Sequence, residues 1–402
     1  MINNTVMTSK IVLMADTFLF HDGDKGLLYN CKESSFCLFD ARNKSIRSAI
    51  EQWEDIGNLY TAKIEYSNND TAFLLFLSEI EDKKLGMVVS GTEEAPLSFP
   101  PVLRIKRSID NLPAWYEGTT GSLPVSHYLK RLIVHLGGET EHRGTWGTAI
   151  TPESSSAKLN VDSFLSFISR IDKKALKSMT LIISEWDDAQ IMACANNLTE
   201  FKDIVRFSFF DPDPSFKNDT LDKLVAEGYV ITQECPSDTS IEKVSWEPGR
   251  CYQLLVRSEE EVEHWETLLQ GSENVNYDFK PVADDNLDFF RKNIFLSEEE
   301  ILSQKLTKKD IFRHQALNVN QFGTLFVFPD GTLHPAKDAP TIGTLGESIH
   351  QIVIRELEQN HAWRQTRRLM EPCKDCLYHD LCPSPSMYER IFGVPGCSYW
   401  QK

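Results

Sequence analysis

No run of 18 apolar residues occurs in this 402-residue sequence, so a membrane-spanning helix is not expected. The opening MINNTVMTSKIVLMADTFLF lacks the basic start, apolar core and small-residue cleavage pattern of a secretory signal. Positive charge is scarce as well. Against 59 acidic residues stand 42 Lys and Arg, a formal charge of −17. That balance argues against a protein that coats nucleic acid or an anionic membrane surface. A soluble cytoplasmic protein is the expectation. Familiar catalytic signatures are missing too: no GxSxG elbow, HExxH helix, Walker A loop or GxGxxG turn. No cysteine falls between Cys37 and Cys194, and the ten histidines are dispersed.

What the middle lacks, the tail concentrates. Cys373, Cys376, Cys382 and Cys397 fall in the last 30 residues, at intervals of three, six and fifteen. Thiolates two residues apart can turn back on one metal, and later ones can close the coordination sphere across a loop. In a cytosolic-looking chain this reads as a metal site before a dithiol or structural disulfides. Zinc accepts four thiolates and so does an iron–sulfur cluster, so spacing alone does not choose. His379 lies inside the run and could replace one thiolate, although a hydrogen-bonding histidine is the simpler expectation. Cys31 and Cys37, with Asp22 and Asp24, read as core and turn residues.

At this length and with 41% apolar residues, two or three domains are expected. Residues 1–98 mix short strand-like runs with a helix carrying Ile46, Ile50 and Trp53 at helical spacing, a second helix at TAFLLFLSEIEDKK and a closing strand at LGMVVSG. A winged-helix-like module is expected, with Leu27, Leu28 and Phe36 as core or groove positions. Its acidic surroundings favour a peptide groove or strand edge over DNA. Prolines 96, 100 and 101 mark the boundary. From residue 99 to 320, strands at 102–107, 131–137, 179–184, 204–210, 229–234, 252–257 and 274–282 alternate with helices at 159–171, 186–197, 216–227, 259–269, 285–293 and 298–304. Ser258 with Glu261 and Ser297 with Glu300 match capping boxes, and Ser184 with Asp187 is a weaker relative. Such alternation predicts an α/β fold on a mostly parallel sheet. With six or seven strands it should be an incomplete barrel or curved sheet. Residues 321–402 read as a hairpin about Asp330-Gly331, a glycine-marked loop, and a helix from about Ser348 into Arg364, Arg367 and Arg368, then the cysteines.

The order hairpin, glycine loop, helix and cysteine run resembles the SPASM or twitch extension of radical-SAM peptide-modifying enzymes. Cys373-x2-Cys376-x5-Cys382-Pro383, followed by Ser386-x-Tyr388-Glu389 and Cys397, resembles Bacteroidales members in particular. The first domain is similar to the leader-recognition domain of ribosomal peptide (RiPP) maturation. Here the chain departs from the enzymes. Their core holds its catalytic cluster through Cys-x3-Cys-x2-Cys after the first strand, and the corresponding loop RSIDNLPAWYEGTTG has no cysteine. Without an open iron, reductive cleavage of S-adenosylmethionine has no site.

The whole therefore resembles the pseudo-radical-SAM proteins that accompany true maturases: a partial TIM-barrel-like core between a winged-helix-like domain and a SPASM-like domain. Gly137, Gly138 and Glu139 look like the strand end that binds the cofactor's amino group in active members, though Gly-Gly is also an ordinary loop opener. His142, Arg143 and Trp146 share that loop. The resemblance implies a zinc ion or iron–sulfur cluster on Cys373, Cys376, Cys382 and Cys397. It argues against bound S-adenosylmethionine. The implied partners are a precursor peptide leader and a radical-SAM maturase, with no nucleic acid or membrane and an open oligomeric state. The expected role is a non-catalytic scaffold. A redox-active accessory enzyme and a zinc-stabilised adaptor are the alternatives.

Overall fold

Strand-forming residues open the chain, and a computed structural model describes residues 6–90, 94–101, 125–137, 157–211, 213–236, 246–272 and 274–397. The first unit contains β1 (Val6–Leu13), β2 (Thr17–His21), β3 (Lys25–Asn30), β4 (Ser35–Asp40), α1 (Lys44–Glu54), β5 (Thr61–Ser67), α2 (Thr71–Asp82) and β6 (Gly86–Ser90). The strands form two antiparallel three-stranded sheets, ordered β2-β3-β4 and β5-β1-β6. Asn43 starts α1 by accepting from the amides of Ser45 and Ile46, and the helix buries Ile46, Ala49, Ile50 and Trp53. Strand β5, absent from the sequence reading, buries Ala62, Ile64 and Tyr66 in alternation with exposed Lys63 and Glu65.

Strand β3 is apolar on both faces because both are covered. Leu28 packs into the core of Trp53, Phe73 and Phe76. Leu27 and Tyr29 face the other way and pack with Leu377, Leu381 and Cys382 of the tail. Tyr29 also donates to the Gln304 carbonyl at 2.7 Å. The first unit and the cysteine tail therefore share one hydrophobic cluster. Leu27 and Leu28 are core residues, and Phe36 packs at the margin of the shared cluster.

The second unit runs β7 (Arg131–His135), α3 (Val161–Ile168), β8 (Ser178–Ile183), α4 (Asp188–Asn197), β9 (Val205–Phe210), α5 (Asp219–Ala226), β10 (Val230–Cys235), β11 (Arg250–Val256), α6 (Glu259–Leu269) and β12 (Asn276–Pro281). Three short helices follow, α7 (Leu287–Asn293), α8 (Glu298–Ser303) and α9 (Lys308–Ala316). Then come β13 (Thr324–Val327), β14 (Thr332–His334), β15 (Gly343–Thr344), α10 (Ile349–Gln359) and α11 (Met387–Phe392). One nine-stranded sheet results, ordered β12-β11-β10-β9-β8-β7-β13-β14-β15. It is parallel from β12 through β13, and β14 and β15 add antiparallel. The hairpin strand β13 thus sits beside β7, whose other edge pairs with β8. The strand expected at 102–107 lies outside the described residues.

The two faces of this sheet differ in chemistry. One carries Leu132, Val134, Leu181, Phe207, Ile231 and Leu325, packed under Phe164, Phe167, Ile191, Leu221, Ile352 and Val353 of the helices. Burial of that kind is the main stabilising term, and Phe207→Ala would cost about 3–5 kcal/mol. The alternate positions on the opposite face include Thr180, Ser208, Thr232 and Gln253.

Three local expectations need correction. Helix α10 does not run into the arginines. Asn360 turns left-handed at φ 54°, and the buried Glu356 carboxylate accepts the Ala362 and Trp363 amides at 2.8 Å. Ser258 accepts from the Glu261 amide, but the Glu261 carboxylate turns to the Arg257 amide, so that capping box is half formed. At α4 the cap is Asp187 itself, accepting from the Gln190 amide, rather than Ser184. The box of Ser297 with Glu300 is complete.

Candidate metal centre and peptide groove

The tail folds around one buried and one half-buried ion pair rather than around a long helix. Arg367, 5% exposed, meets Glu389, 3% exposed, through two contacts of 2.8 and 3.3 Å. Its Nε donates to the Pro383 carbonyl at 2.6 Å, and one terminal nitrogen donates to Cys373 Sγ at 3.6 Å. Arg368 makes the second pair, gripping the buried Asp380 at 2.7 and 2.5 Å. These arginines act through carboxylates and a carbonyl, rather than standing at the end of the expected helix.

Glu389 does two further jobs. It completes the capping box with Ser386 at the start of α11, and it accepts the Gly396 amide at 2.6 Å. That last bond fixes the approach of Cys397. A side chain at 396 would begin 2.9 Å from the Glu389 carboxyl carbon and would push that carboxylate out of its place. One carboxylate thereby ties Arg367, α11 and the final cysteine loop together.

Cys373, Cys376, Cys382 and Cys397 are all buried, and Cys376, Cys382 and Cys397 line the cluster shared with β2 and β3. Burial pushes the Cys376 thiol up to about 11 and raises Cys373 and Cys382 as well. Each of these three also feels Cys397, so the four sulfurs lie within electrostatic reach of one another. The Arg367 charge opposes the rise at all three. For Arg367 itself burial pulls the pKa down, but Glu389 and the Cys382 and Cys373 sulfurs outweigh it and hold the guanidinium charged.

Four soft donors around a fixed cation suit a thiolate-held metal, whose excess negative charge the arginine would offset. Among the described residues, no three His, Cys, Asp or Glu side chains already stand at the spacing of one bound ion. His379 spends its ring on the Cys376 carbonyl at 2.5 Å and on Asp380 at 3.3 Å. Of the remaining cysteines, half-buried Cys31 packs at the margin of the same apolar cluster. Cys37, Cys194 and Cys235 are buried apart from it, Cys37 with its thiol pushed up to about 12 by burial.

Of the strand-end trio, Gly137 is described and Gly138 and Glu139 lie outside the described residues, as do His142, Arg143 and Trp146. Gly137 has φ 91° and bridges to Lys158, and a Cβ there would meet the Ala157 carbonyl at 2.2 Å. Close backbone approach accounts for that glycine.

Sequence reading expected a peptide groove or strand edge in the first unit without saying which strand would supply it. Strand β4 is an edge of its sheet, and a groove of about 400 Å³ runs between it and α2. Leu38, Phe39, Ile46, Leu75 and Phe76 line it, with Leu38 41% and Leu75 63% exposed. A sheet edge beside an apolar groove suits an extended peptide. The signal available was SSFCLFDA ahead of a helix, but which strand ends up at the edge is a tertiary fact.

No protein-family model matches the sequence, and no curated protein matches it either. Among solved structures, the chain is similar to Streptococcus suis SuiB bound to the precursor peptide SuiA. That likeness covers 96% of this chain and 98% of that one, at 9% identity and a TM-score of 0.38. It is also similar to native anSMEcpe with bound AdoMet, over 65% of this chain and 90% of that one, at 9% identity and a TM-score of 0.40. The polyhistidine-tagged form of anSMEcpe with bound AdoMet gives 10% identity and a TM-score of 0.43 over the same shares. Likenesses this loose fix neither ligand nor activity. No helix among the described residues is long and apolar enough to cross a membrane.

Proposed function

We propose that the chain is a non-catalytic accessory protein of ribosomal peptide maturation, with a metal centre in its tail and a leader-peptide site on its first unit. The observation that carries this is the burial of all four tail cysteines within electrostatic reach of one another, in a chain with no Cys-x3-Cys-x2-Cys anywhere. Cys373, Cys376, Cys382 and Cys397 would hold the group. Zinc there would supply a cross-link, and an iron–sulfur cluster would add an electron store.

The leader would add to the open edge of β4, with its apolar side chains in the groove beside Leu38 and Leu75. A catalytic maturase would then act on a peptide held in place, and tethering raises effective concentration without chemistry in this chain. One preparation tests both halves. Protein purified without oxygen is analysed for metal and visible absorption, then assayed for 5′-deoxyadenosine under reducing conditions with S-adenosylmethionine. Bound metal and no 5′-deoxyadenosine are expected. Turnover by this chain alone overturns the accessory role. Calorimetry with the matching precursor completes the test, and absence of leader binding removes the peptide half.

A further inference from the structure

Folding gives no account of the polar face of the long sheet. A packed barrel interior is filled by layers of branched apolar side chains. Here the positions of β8, β9, β10 and β11 on that face carry Thr180, Ser208, Thr232 and Gln253. Asn320, Gln321 and Met387, from the segments leading into and through the tail, border the same space and leave a cavity of about 330 Å³. Small-molecule sites begin at roughly this size, about 300 Å³.

Its charge runs against that of the chain. Arg131, Arg206, Lys280 and Lys337 line the cavity, and among the described residues no carboxylate does. Glu234, fully buried beside the cavity, already pairs with Lys280. Asp338, the other carboxylate acting on Lys337, lies 2.7 Å from Arg390. Among the described residues Lys337 Nζ is buried with no hydrogen-bond partner, and so are the hydroxyls of Thr232 and Thr324, residues 2% and 3% exposed. An ammonium and two hydroxyls shut away without acceptors are unfavourable unless a ligand supplies them. An oxyanion supplies both acceptors and the missing charge. Ile133, Ile182 and Phe326 complete an apolar wall, which suits a ligand with a carbon skeleton.

We propose that this cavity binds a small organic oxyanion, a carboxylate or a phosphate monoester. Lys337, Arg131 and Arg206 provide the counter-charge, and Thr232 and Thr324 donate hydrogen bonds. The site requires neither the tail metal nor the peptide groove, so it stands or falls separately from the accessory role.

Calorimetry on the full chain at low salt, with adipate and glycerol 3-phosphate as probes, tests it and distinguishes the two sources of oxyanion. One of the probes is expected to bind, and to bind more weakly as salt is raised. Affinity should fall roughly tenfold or more in Lys337→Met and in Thr232→Val, the loss of one charge-assisted or buried hydrogen bond. Lys202→Met, a cation on the helical side near Tyr229, should leave it unchanged. Arg206 is exposed, so Arg206→Gln tests the charge without burdening the fold. Failure of both probes to bind overturns the proposal. So does unchanged affinity in folded Lys337→Met, or equal binding of the neutral diamide of adipate, which would leave only the apolar wall.

Discussion

Two groups of buried polar side chains in this molecule are treated in opposite ways. In the tail the buried charges are matched. Arg367 meets Glu389, Arg368 meets Asp380, and the Glu389 carboxylate takes up amides besides. On the polar side of the sheet, Lys337, Thr232 and Thr324 are left without partners among the described residues. Satisfied networks specify a shape, whereas unsatisfied ones are kept where something else is meant to satisfy them. The tail is thus built to hold its own geometry, and the sheet is built to receive.

The sharpest way to break this contrast is to unmatch the tail. Glu389→Ala leaves the Arg367 charge buried and uncompensated, which costs about 3–5 kcal/mol. It also frees the Gly396 amide and with it the Cys397 loop. Urea denaturation should show the loss, together with reduced metal in the purified protein. A loss well under about 1 kcal/mol would mean that the pair is incidental. Cys376→Ser comes next, because a small module draws much of its stability from a bound metal. Metal release and faster proteolysis beyond residue 340 are expected, and unchanged metal content would remove Cys376 from the ligand set.

A third test moves to unmatched groups that face solvent. Leu75→Glu places charge in the groove beside the β4 edge, and Leu75 is 63% exposed, so stability should change by no more than about 0.5 kcal/mol. Leader binding measured by calorimetry should nonetheless be lost. Binding at full strength would move the peptide site elsewhere.

How much of this was legible beforehand follows from which interactions are local. Strands β7 to β12 and the helices between them fall within a few residues of their expected positions, because period-two and period-3.6 patterns are written in neighbouring residues. The four tail cysteines were legible by spacing. The pair of Arg367 and Glu389 was not, since 22 residues separate two charges that each have a local explanation, a helix end and a capping box. The place of β13 beside β7 was hidden for the same reason. So was the burial of β3 on both faces, although its unbroken apolar run Gly26–Tyr29 hinted at it. That burial also changes an expectation about the domains. Removing the first 95 residues would uncover the tail surface that packs against Phe18, Phe20, Leu27 and Tyr29, so the units are not independent in stability.

The smallest effect is the one that isolates the unmatched lysine. Burial and the nearby Lys280 bring the Lys337 ammonium down from 10.5 to about 8, while Glu234 and Asp338 pull it upward. His135, on the same face, stays neutral throughout, its pKa lowered by burial and by Lys337 to about 3. Below pH 8 the lysine is protonated in both the folded and unfolded chain, and its penalty on folding is fully present. Between pH 8 and 10.5 the folded chain has released a proton that the unfolded chain still holds, so this group makes stability rise with pH. Lys337→Met removes the penalty at every pH. The variant should therefore be more stable than the parent at about pH 7, and the gap should close as pH approaches 10.5. Paired urea titrations from about pH 7 to about pH 10 measure the difference and cancel the titration of every other group. A gap that stays constant across that range would mean that Lys337 finds a partner in solution, and the contrast between tail and sheet would lose its clearest member.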